Sequence, residues 1–490
     1  MTLLSTQIAI VAAGPTGLAA AITAAENDLD VMVFEKAAFP GGTANMGMGP
    51  FGVESRMQKE LMCGPTKEEA FKVMMEHVHW DVDARLVHDY FWKSGETIDW
   101  LENMGVVFDR PTKYYPGAYE TWHVVKPEGG GVPGPRAASA MTRVMYNRAV
   151  ELGVKFYFNT AVKSVKKNDD GVICGITAEN INGEEFDVDA GAVMVCCGGF
   201  GNNTEMINKY TDHTDGEDIF GFKIPGITGD GLRMVWAAGG GHSHMEMERT
   251  LGNEIYNAGD FESKMLFCQP SALIVNRQGY RVMDEEEIKN GAVASNVISR
   301  QYKRDVFLII DDALLRHFRR NGMDIGSSVI RGDYSGQFTE DVADAAIKYP
   351  ESVFITDSLE ELAEKLGIDK ETLLDTVEEY NSCCECGYDD LFLKKHKYLH
   401  PLTGKKFYAM RMSSGAYGSL GGIKVNHKLE VLTDDWEVIP GLYAGGSDVC
   451  DLYRGTYCYL LGGNTMGFAV NSGRMAAENM VDYVTGKESA

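Results

Sequence analysis

The chain has 490 residues and a net charge of -25. Its length exceeds what one simple hydrophobic core serves and predicts two or three domains. The acidity argues against nucleic acid and anionic membrane surfaces as partners, because both repel a negatively charged protein. A hydrophobic content of 44% is ordinary for globular proteins and excludes a largely disordered chain.

The cysteines give no sign of an oxidised framework. Ten are present, no C-x-x-C spacing occurs, and Cys383, Cys384 and Cys386 stand too close for ordinary pairing. We interpret this cluster as a loop at a helix end, with no metal bound. The reduced thiols predict a cytoplasmic protein. No membrane span or signal peptide is predicted, because no apolar run of 18 residues occurs and a basic N-terminal region is lacking.

Residues 7–36 read "QIAIVAAGPTGLAAAITAAENDLDVMVFEK". The pattern predicts a strand over 8–12, a tight turn, an Ala-rich helix over 18–26 and a second strand over 30–34. This order is the βαβ fingerprint of dinucleotide-binding folds. Nucleotide binding is therefore predicted at the start of the chain.

Each part of this fingerprint has a physical role. Gly14 lets the backbone approach a pyrophosphate, and Gly17 lets the helix pack closely on the strand. The helix N-terminus offers N–H groups to the phosphates. Glu35 follows at the spacing that suits hydrogen bonds from a ribose. Ala12 stands where the fingerprint has its first glycine, a departure that we interpret as tolerable at the turn.

A second glycine segment, "FPGGTANMGMGPFG", covers residues 39–52. Its small residues follow the second predicted strand and would let the backbone meet another part of the cofactor. The fingerprint alone leaves NAD and FAD open, and this segment favours FAD.

Further segments extend the pattern through the chain. They are "DAGAVMVCCGGFGNN" (189–203), "TGDGLRMVWAAGGG" (228–241), "SALIVNRQGYRVMDEE" (271–286), "YNSCCECGYDDLF" (380–392), "IPGLYAGGSD" (439–448) and "LGGNTMGFAVNSGRMAAENM" (461–480). Taken together with the two segments above, they resemble the family of soluble fumarate reductases and succinate dehydrogenase flavoprotein subunits, which includes urocanate reductases and 3-ketosteroid dehydrogenases.

The resemblance implies an α/β fold. It has a doubly wound, Rossmann-like FAD-binding domain, which an inserted α+β capping domain splits in sequence. The FAD-binding domain is expected over 1–247 and 413–490, and the capping domain over 248–412. Helices are expected over 357–381 in the cap, and the 60–150 region is expected to be helical.

The resemblance also implies non-covalent FAD, because residues 39–56 contain no histidine to carry a covalent link. Electrons would come from an external donor, either NAD(P)H or a redox protein. The residues assigned to the cofactor are Gly14, Pro15, Thr16, Gly17, Glu35, Lys36, Gly41, Gly42, Thr43, Ala44, Gly198, Gly199, Gly446, Ser447, Asp448, Gly462, Gly463, Asn464 and Thr465.

The last of these segments is assigned to the flavin ring. Reduced flavin carries negative charge on its pyrimidine edge, and a helix N-terminus stabilises such charge. Gly462 and Gly463 permit close approach, and a helix is predicted from Asn464.

Charged substrate groups of the dicarboxylate enzymes are missing. The resemblance places a family arginine at the position of Leu460 and a family histidine at the position of Tyr417. Arg316, Arg319 and Arg320 are interpreted as an exposed helix face instead of proton donors. His242 and His244 are interpreted as structural residues at a helix end, and the sequence does not place His123.

We therefore expect a reductase or dehydrogenase acting on an activated carbon–carbon bond of a neutral cyclic substrate, such as a steroid enone or a flavonoid. An equol-forming, tetrahydrodaidzein-type reduction is one candidate. Tyr417, Tyr457, Tyr459 and Arg454 are the candidate catalytic residues, since phenols can donate to a carbonyl and stabilise a developing enolate.

Two alternatives stay open. One is a reductase of carboxylates, of fumarate or cinnamate type, that uses Arg454 or Arg411 as its cation. The other is a flavin-bearing electron-transfer subunit that turns over no small molecule.

Overall fold

The computed structural model describes residues 4–255, 261–326 and 334–486. Its internal contacts divide the chain into two compact units. The first runs from the N-terminus to Thr211, with Lys223–Met247 and Gly418 to the C-terminus; the second comprises Asp212–Phe222 and Glu248–Tyr417. The sequence predicted that the inserted domain covers 248–412. The contacts place the second unit over 248–417 and add 212–222 to it.

Helices and strands alternate along much of the chain. The α-helices are α1 (Pro15–Ala25), α2 (Arg56–Leu61), α3 (Lys67–His77), α4 (Ala84–Asn103), α5 (Ser139–Glu151), α6 (Thr204–Tyr210), α7 (Asp230–Ala237), α8 (Gly291–Ser299), α9 (Asp312–Asn321), α10 (Phe338–Lys348), α11 (Leu359–Leu366), α12 (Lys370–Cys386) and α13 (Asn464–Thr485). The strands are β1 (Leu4–Val11), β2 (Val31–Phe34), β3 (Phe108–Thr112), β4 (Trp122–Val125), β5 (Lys155–Tyr157), β6 (Ala161–Lys167), β7 (Ile173–Glu179), β8 (Glu185–Val195), β9 (Ile219–Gly221), β10 (His242–Gly252), β11 (Leu273–Val275), β12 (Val306–Asp311), β13 (Val353–Thr356), β14 (Phe407–Ile423), β15 (Glu430–Leu432) and β16 (Val438–Ala444).

The first unit is built on a largely parallel sheet with the order β15-β16-β8-β1-β2-β5, to which β7 and β6 add antiparallel strands. In β1, Ile8 lies opposite Val31 of β2 and Ala192 of β8, and all these pairings are parallel. Parallel strands joined by helices are buried on both faces, which explains their apolar sequences. The predicted α/β, Rossmann-like fold class is confirmed.

Helices α1 and α13 pack closely on each other in this unit. A Cβ added at Gly473 would lie 2.2 Å from the Thr16 carbonyl oxygen, and one added at Gly17 would lie 2.0 Å from that of Ala12. Only glycine allows such backbone approach. The role predicted for Gly17, close packing of the helix on the first strand, is confirmed.

The second unit has an antiparallel sheet in which β12 pairs with β11 and β14, and β13 also pairs with β14. Alternate residues of β12 enter two different cores: Leu308 and Ile310 lie in one, and Phe307 and Ile309 in the other. A period of two is what a strand covered on both faces requires. Helices α11 and α12 cover 359–386, which confirms the helices predicted over 357–381.

Two of the sequence segments converge on a buried ion network in the second unit. Arg281 donates to Glu285 and Asp389 at 2.8–3.0 Å, and Lys394 lies 3.3 Å from Glu285. Arg281 holds the pKa of Asp389 at about 2, against the effect of burial. Each charge is compensated, as burial demands.

Several local predictions need correction. His242 and His244 lie at the start of β10 and not at a helix end, while Cys383, Cys384 and Cys386 lie within the last turn of α12 and not in a loop. The 60–150 region is only partly helical: α3, α4 and α5 lie in it, but 104–138 holds the β3–β4 hairpin and irregular connections without a helix. All ten cysteines are free thiols.

None of the described helices is both long and apolar enough to cross a membrane.

Candidate functional site: a dinucleotide cradle and an aromatic helix cap

Most of the predicted cofactor residues follow the carboxyl ends of four parallel strands, whereas 462–465 lie at the start of α13. Strands β1, β2, β8 and β16 end at Val11, Phe34, Val195 and Ala444, and these residues are in register across the sheet. Ligands of doubly wound folds bind at this edge. The sheet therefore gathers turns that are far apart in the sequence.

The turn after β1 leads into α1, whose N-terminus has no side-chain cap. A Cβ added at Gly14 would meet nothing within 4 Å, and one added at Gly42 would lie 3.5 Å from the Gly14 Cα. The Gly41 N–H donates to the Ala13 carbonyl at 2.8 Å. The two predicted glycine segments thus meet beside an uncapped helix N-terminus, which suits an anion.

The Glu35 carboxylate fixes this turn. Its two oxygens accept hydrogen bonds from the backbone N–H groups of Ala13, at 2.7 Å, and Ala37, at 2.8 Å. The side chain is 8% exposed. A carboxylate oxygen can accept more than one hydrogen bond, so both remain able to accept a ribose hydroxyl.

Lys36 is engaged with another part of the first unit. Its ammonium group forms an ion pair with Asp230 and lies 3.3 Å from the Thr228 hydroxyl. These contacts attach the end of β2 to the "TGDG" turn before α7. Both members of the pair are about one-third exposed.

Asp448 holds the glycine turn after β8. Its carboxylate accepts the N–H groups of Cys197, Gly198 and Gly199, the last at 2.7 Å. Burial raises the pKa of Asp448 to about 6, although these hydrogen bonds act in the opposite direction. The conformation of the turn needs glycine, since Gly198 and Gly199 have φ values of +91° and +88°.

The turn after β16 packs on the start of α1. A Cβ added at Gly446 would lie 2.5 Å from Thr16 Oγ1, and the Gly446 N–H donates to Ser472 of α13. Ser447 lies next to it and is partly exposed. In the 42–46 turn, Thr43 is exposed and Ala44 is buried.

Helix α13 begins at Asn464, after Gly463 with a φ of +81°. A tyrosine hydroxyl lies at this N-terminus: Tyr457 Oη accepts the N–H of Asn464 at 2.9 Å and that of Thr465 at 3.3 Å. The Asn464 side chain is fully buried, and its Oδ1 accepts the Tyr453 hydroxyl at 2.8 Å. Its Nδ2 has no partner among the described residues.

Aromatic rings extend from this cap. The Tyr457 ring lies 4.9 Å from that of Tyr453 and 4.7 Å from that of Tyr459, and Tyr459 lies 4.5 Å from Tyr114. Tyr114 stacks on Trp122. Close tilted and stacked rings of this kind attract one another beyond the burial of their area. We call Tyr114, Trp122, Tyr453, Tyr457 and Tyr459 the aromatic cap.

Arg454, the cation closest in sequence to the tyrosines before α13, forms an ion pair with Asp81. Its Nε lies 2.6 Å from the Asp81 carbonyl oxygen and 3.2 Å from the Asp81 carboxylate, and the side chain is 37% exposed. Leu460 is partly buried, and its carbonyl accepts the Tyr119 N–H. The catalytic role assigned to Arg454 stays a prediction.

His77 is a contact that the sequence did not indicate. Its Nε2–H donates to the Thr456 carbonyl at 2.7 Å, directly before Tyr457. Burial lowers the pKa of His77. Together with the Arg454–Asp81 pair, this contact ties residues 454–457 to the end of α3 and the link that follows. No sequence signal marks the pairing, because His77 ends an ordinary helix.

His123 lies inside the first unit. Its Nδ1–H donates to the Thr121 carbonyl at 3.1 Å, so the neutral ring accepts the Ser55 hydroxyl at Nε2, at 2.8 Å. The side chain is fully buried, and burial lowers its pKa to about 4. Both ring nitrogens are therefore used within the fold.

Tyr417, the remaining candidate, belongs to the second unit. It lies on β14, and its ring stacks on Phe222 with centroids 5.3 Å apart. Residues 219–221 form β9, which pairs with 414–416 and so places Phe222 beside it. The role assigned to Tyr417 stays a prediction.

Comparison with known proteins identifies the family. A family model described as an FAD binding domain matches residues 7–466. The chain belongs to this FAD-binding family. Its cradle fits the cofactor, since the uncapped α1 N-terminus and the open space at Gly14 suit a pyrophosphate, and the buried Asn464 amide has a donor to offer.

Relatives of this flavoprotein are reductases. It is 29% identical over 490 residues to the vinyl phenol reductase of Lactiplantibacillus plantarum, covering 98% of this chain and 97% of the relative. It is 27% identical over 479 residues to a fumarate reductase (cytochrome) of Shewanella frigidimarina, covering 97% of this chain and 77% of the relative.

A solved structure, the 3-ketosteroid Δ1-dehydrogenase of Sterolibacterium denitrificans, has the same fold with a TM-score of 0.78 and 18% sequence identity. The structural match covers 97% of this chain and 99% of the solved dehydrogenase chain. The flavoprotein is thus an FAD-dependent oxidoreductase of the fumarate reductase family, as the resemblance implied.

Proposed function

We propose that this flavoprotein reduces an activated carbon–carbon double bond in a neutral, ring-bearing substrate. A vinyl phenol or a cyclic enone of steroid or flavonoid type is the class to test. The observation that carries the proposal is the aromatic cap before α13, where dicarboxylate reductases of the family are expected to keep an arginine and this chain has Leu460.

Physical chemistry supports this choice over a carboxylate. A buried carboxylate without a cation is costly. Arg454 already pairs with Asp81, and Arg411 with Glu254 at 3.2 Å. Tyrosine rings and a leucine, in contrast, suit an aromatic or alicyclic ring, and phenol hydroxyls can orient a neutral oxygen substituent.

The relatives support the same direction. Vinyl phenol reductase is named for a neutral aromatic substrate, and its similarity spans nearly the whole of both chains. The fumarate reductase similarity covers a smaller share of that relative.

When bound, FAD supplies the hydride for such a reduction. The turns at Gly14, Gly42 and Gly199 would hold its phosphates and ribose. The α13 N-terminus at Asn464 and Thr465 would stabilise negative charge on the flavin. Tyr457 and Tyr459 are assigned to bind the substrate oxygen and to deliver the proton. The electrons that reload the flavin would come from NAD(P)H or a redox protein.

An anaerobic acceptor screen tests the proposal. FAD-loaded protein is reduced, mixed with 4-vinylphenol, a steroid enone, an isoflavone, cinnamate or fumarate, and followed by flavin absorbance. We expect at least one neutral acceptor to reoxidise the flavin at least tenfold faster than either carboxylate. Fumarate reacting as fast as every neutral compound would refute the proposal, and no reaction with any acceptor would favour the electron-transfer alternative.

A matched pair of variants refines the screen. Leu460→Arg introduces the cation that is missing, so it should slow the neutral acceptor and speed fumarate or cinnamate. Tyr388→Phe removes a hydroxyl from a tyrosine that is 63% exposed and should change neither rate. If Leu460→Arg left the acceptor preference unchanged, the aromatic cap and its neighbour Leu460 would not face the substrate.

A further inference from the structure

Two imidazoles and a carboxylate meet in the second unit, and none of them is among the residues assigned above. The possible ligand atoms of His317, Asp324 and His400 all lie within 4.8 Å of one another, and the three side chains are partly exposed. Their positions are too far apart along the chain to form a recognisable metal motif. The sequence therefore predicted no metal.

We infer that His317, Asp324 and His400 form a binding site for a divalent transition-metal ion, with zinc the best fit. Two nitrogen ligands and one oxygen ligand suit zinc, cobalt or nickel better than magnesium or calcium, which prefer oxygen alone. Tetrahedral zinc with bonds of about 2.0–2.1 Å has its ligand atoms about 3.3 Å apart. Side-chain rotations that move the ligand atoms by one or two ångströms reach that spacing. Water would complete the coordination.

Main-chain contacts hold the two ligand-bearing segments together. His317 lies on α9, and the start of this helix binds the segment that follows His400. Asp311 accepts the Gly404 N–H at 2.6 Å, and Asp312 accepts that of Lys405 at 2.8 Å. The His317 and His400 rings consequently lie 4.1 Å apart between centroids.

Outer contacts orient two of the ligands. Asp324 uses one oxygen, Oδ2, to accept the Ser271 N–H at 2.8 Å, which leaves Oδ1 for a metal. The Asn321 amide lies 3.0 Å from His317 Nδ1. Turning that amide by 180° would place its oxygen there, so that it fixes the ring with Nε2 directed to a metal.

A second group of possible ligands does not make a comparable site. Cys383, Asp389 and Asp390 are also close together. However, the Asp389 carboxylate receives both Arg281 contacts, at 2.9 and 2.8 Å. A cation would have to compete with the buried guanidinium, and Asp390 is exposed. No described ion pair engages the Asp324 carboxylate, although the charge of Lys394 acts on His400.

Calorimetry on the full, FAD-loaded protein tests the inference with Zn²⁺ as the probe. We expect one equivalent to bind, and His317→Gln, Asp324→Asn and His400→Gln each to weaken it about 100-fold or more, since even outer contacts of metal sites contribute 10–100-fold. His396→Gln, a change of an exposed histidine on the same segment, should bind as the wild type does.

Cobalt provides a second readout that does not depend on activity. Co²⁺ bound to the wild type should give visible ligand-field absorption that the three variants lack, and Mg²⁺ should not displace it. Zn²⁺ should also raise the melting temperature of the wild type but not of a variant that circular dichroism shows to be folded. The inference is wrong if the wild type shows no saturable equivalent, or if two of the three variants keep its affinity.

Discussion

At two places in the first unit, backbone N–H groups donate to a side-chain oxygen, and the kind of acceptor differs between them. At Cys197–Gly199 the acceptor is the buried carboxylate of Asp448; at Asn464 and Thr465 it is the neutral hydroxyl of Tyr457. Removing a buried carboxylate from its donors leaves a charge without compensation, whereas a phenol can be exchanged for another acceptor at little cost. The Asp448 carboxylate is therefore a permanent acceptor, and we call this arrangement the Asp448 brace. The Tyr457 hydroxyl suits a position where a bound cofactor can replace it as the acceptor of the N–H groups.

Asp448→Ala should have the largest effect. It leaves the buried N–H group of Gly199 and the part-buried N–H groups of Cys197 and Gly198 without an acceptor. Since a buried unsatisfied donor costs about 1–3 kcal/mol, we expect a loss of about 3 kcal/mol in the free energy of unfolding. Flavin occupancy should fall with it. Urea denaturation and the flavin-to-protein absorbance ratio provide the measurements.

Asp435→Ala is the matched control, because Asp435 is exposed and should tolerate the change. A loss of less than about 1 kcal/mol in Asp448→Ala would mean that the turn does not depend on its carboxylate.

The pH dependence of stability should also distinguish the brace. Burial raises the pKa of Asp448 from 3.8 to about 6, so between these pH values the folded state binds more protons than the unfolded state. Stability must then fall as pH rises through this window. Relative to Asp448→Asn, which does not titrate there, the wild type should lose about 2 kcal/mol between pH 4 and pH 7.

Denaturation of both proteins at pH 4 and pH 7 measures this difference. A wild type that gained stability over Asp448→Asn with rising pH would show that the three N–H donors outweigh burial and lower the pKa of Asp448.

Tyr457→Phe tests whether the second acceptor is exchangeable. Without FAD, loss of the hydroxyl leaves the N–H groups of Asn464 and Thr465 without their partner, and stability should fall by about 1–2 kcal/mol. With FAD bound, the loss should be smaller, because the flavin is proposed to accept from the same helix end. Denaturation with and without saturating FAD compares the two states.

Tyr388→Phe is again the control, and it should change stability in neither state. An equal loss for Tyr457→Phe with and without FAD would make the phenol a fixed brace like Asp448, and the distinction between the two turns would disappear.

The dinucleotide-binding turns around Gly14, Gly17 and Glu35 could be predicted from the sequence, because the pattern that marks them is local. The strand–turn–helix pattern around Gly14 and Gly17 and the acid at Glu35 have fixed spacings, so the fold class and the nucleotide edge could be predicted. Tyr457 was predicted to face the substrate. In the structure its hydroxyl accepts backbone N–H groups of α13 that the sequence assigned to the flavin, and its catalytic role stays a prediction.

Contacts between distant segments could not be predicted in this way. The Asp448 brace joins residues about 250 positions apart, and the His77–Thr456 bond joins residues still farther apart. Such pairs arise from three-dimensional packing, and no spacing rule in a single sequence marks them. The same holds for His317 and His400, whose rings meet where the start of α9 contacts the segment that follows His400.

Ala12→Gly should have the smallest effect, and it should be stabilising. Ala12 has a φ of +91°, in the left-handed region where a Cβ is strained and glycine is not. The fingerprint has glycine at this position, so the strain belongs to this chain and not to the turn as such. Against it stands the greater freedom that glycine gives the unfolded chain. We expect a net gain of about 0.5–1 kcal/mol in the free energy of unfolding, measured by urea denaturation. Ala25→Gly, at the end of α1 in ordinary helical surroundings, should instead lose a similar amount; a loss at both positions would show that the Ala12 turn is unstrained.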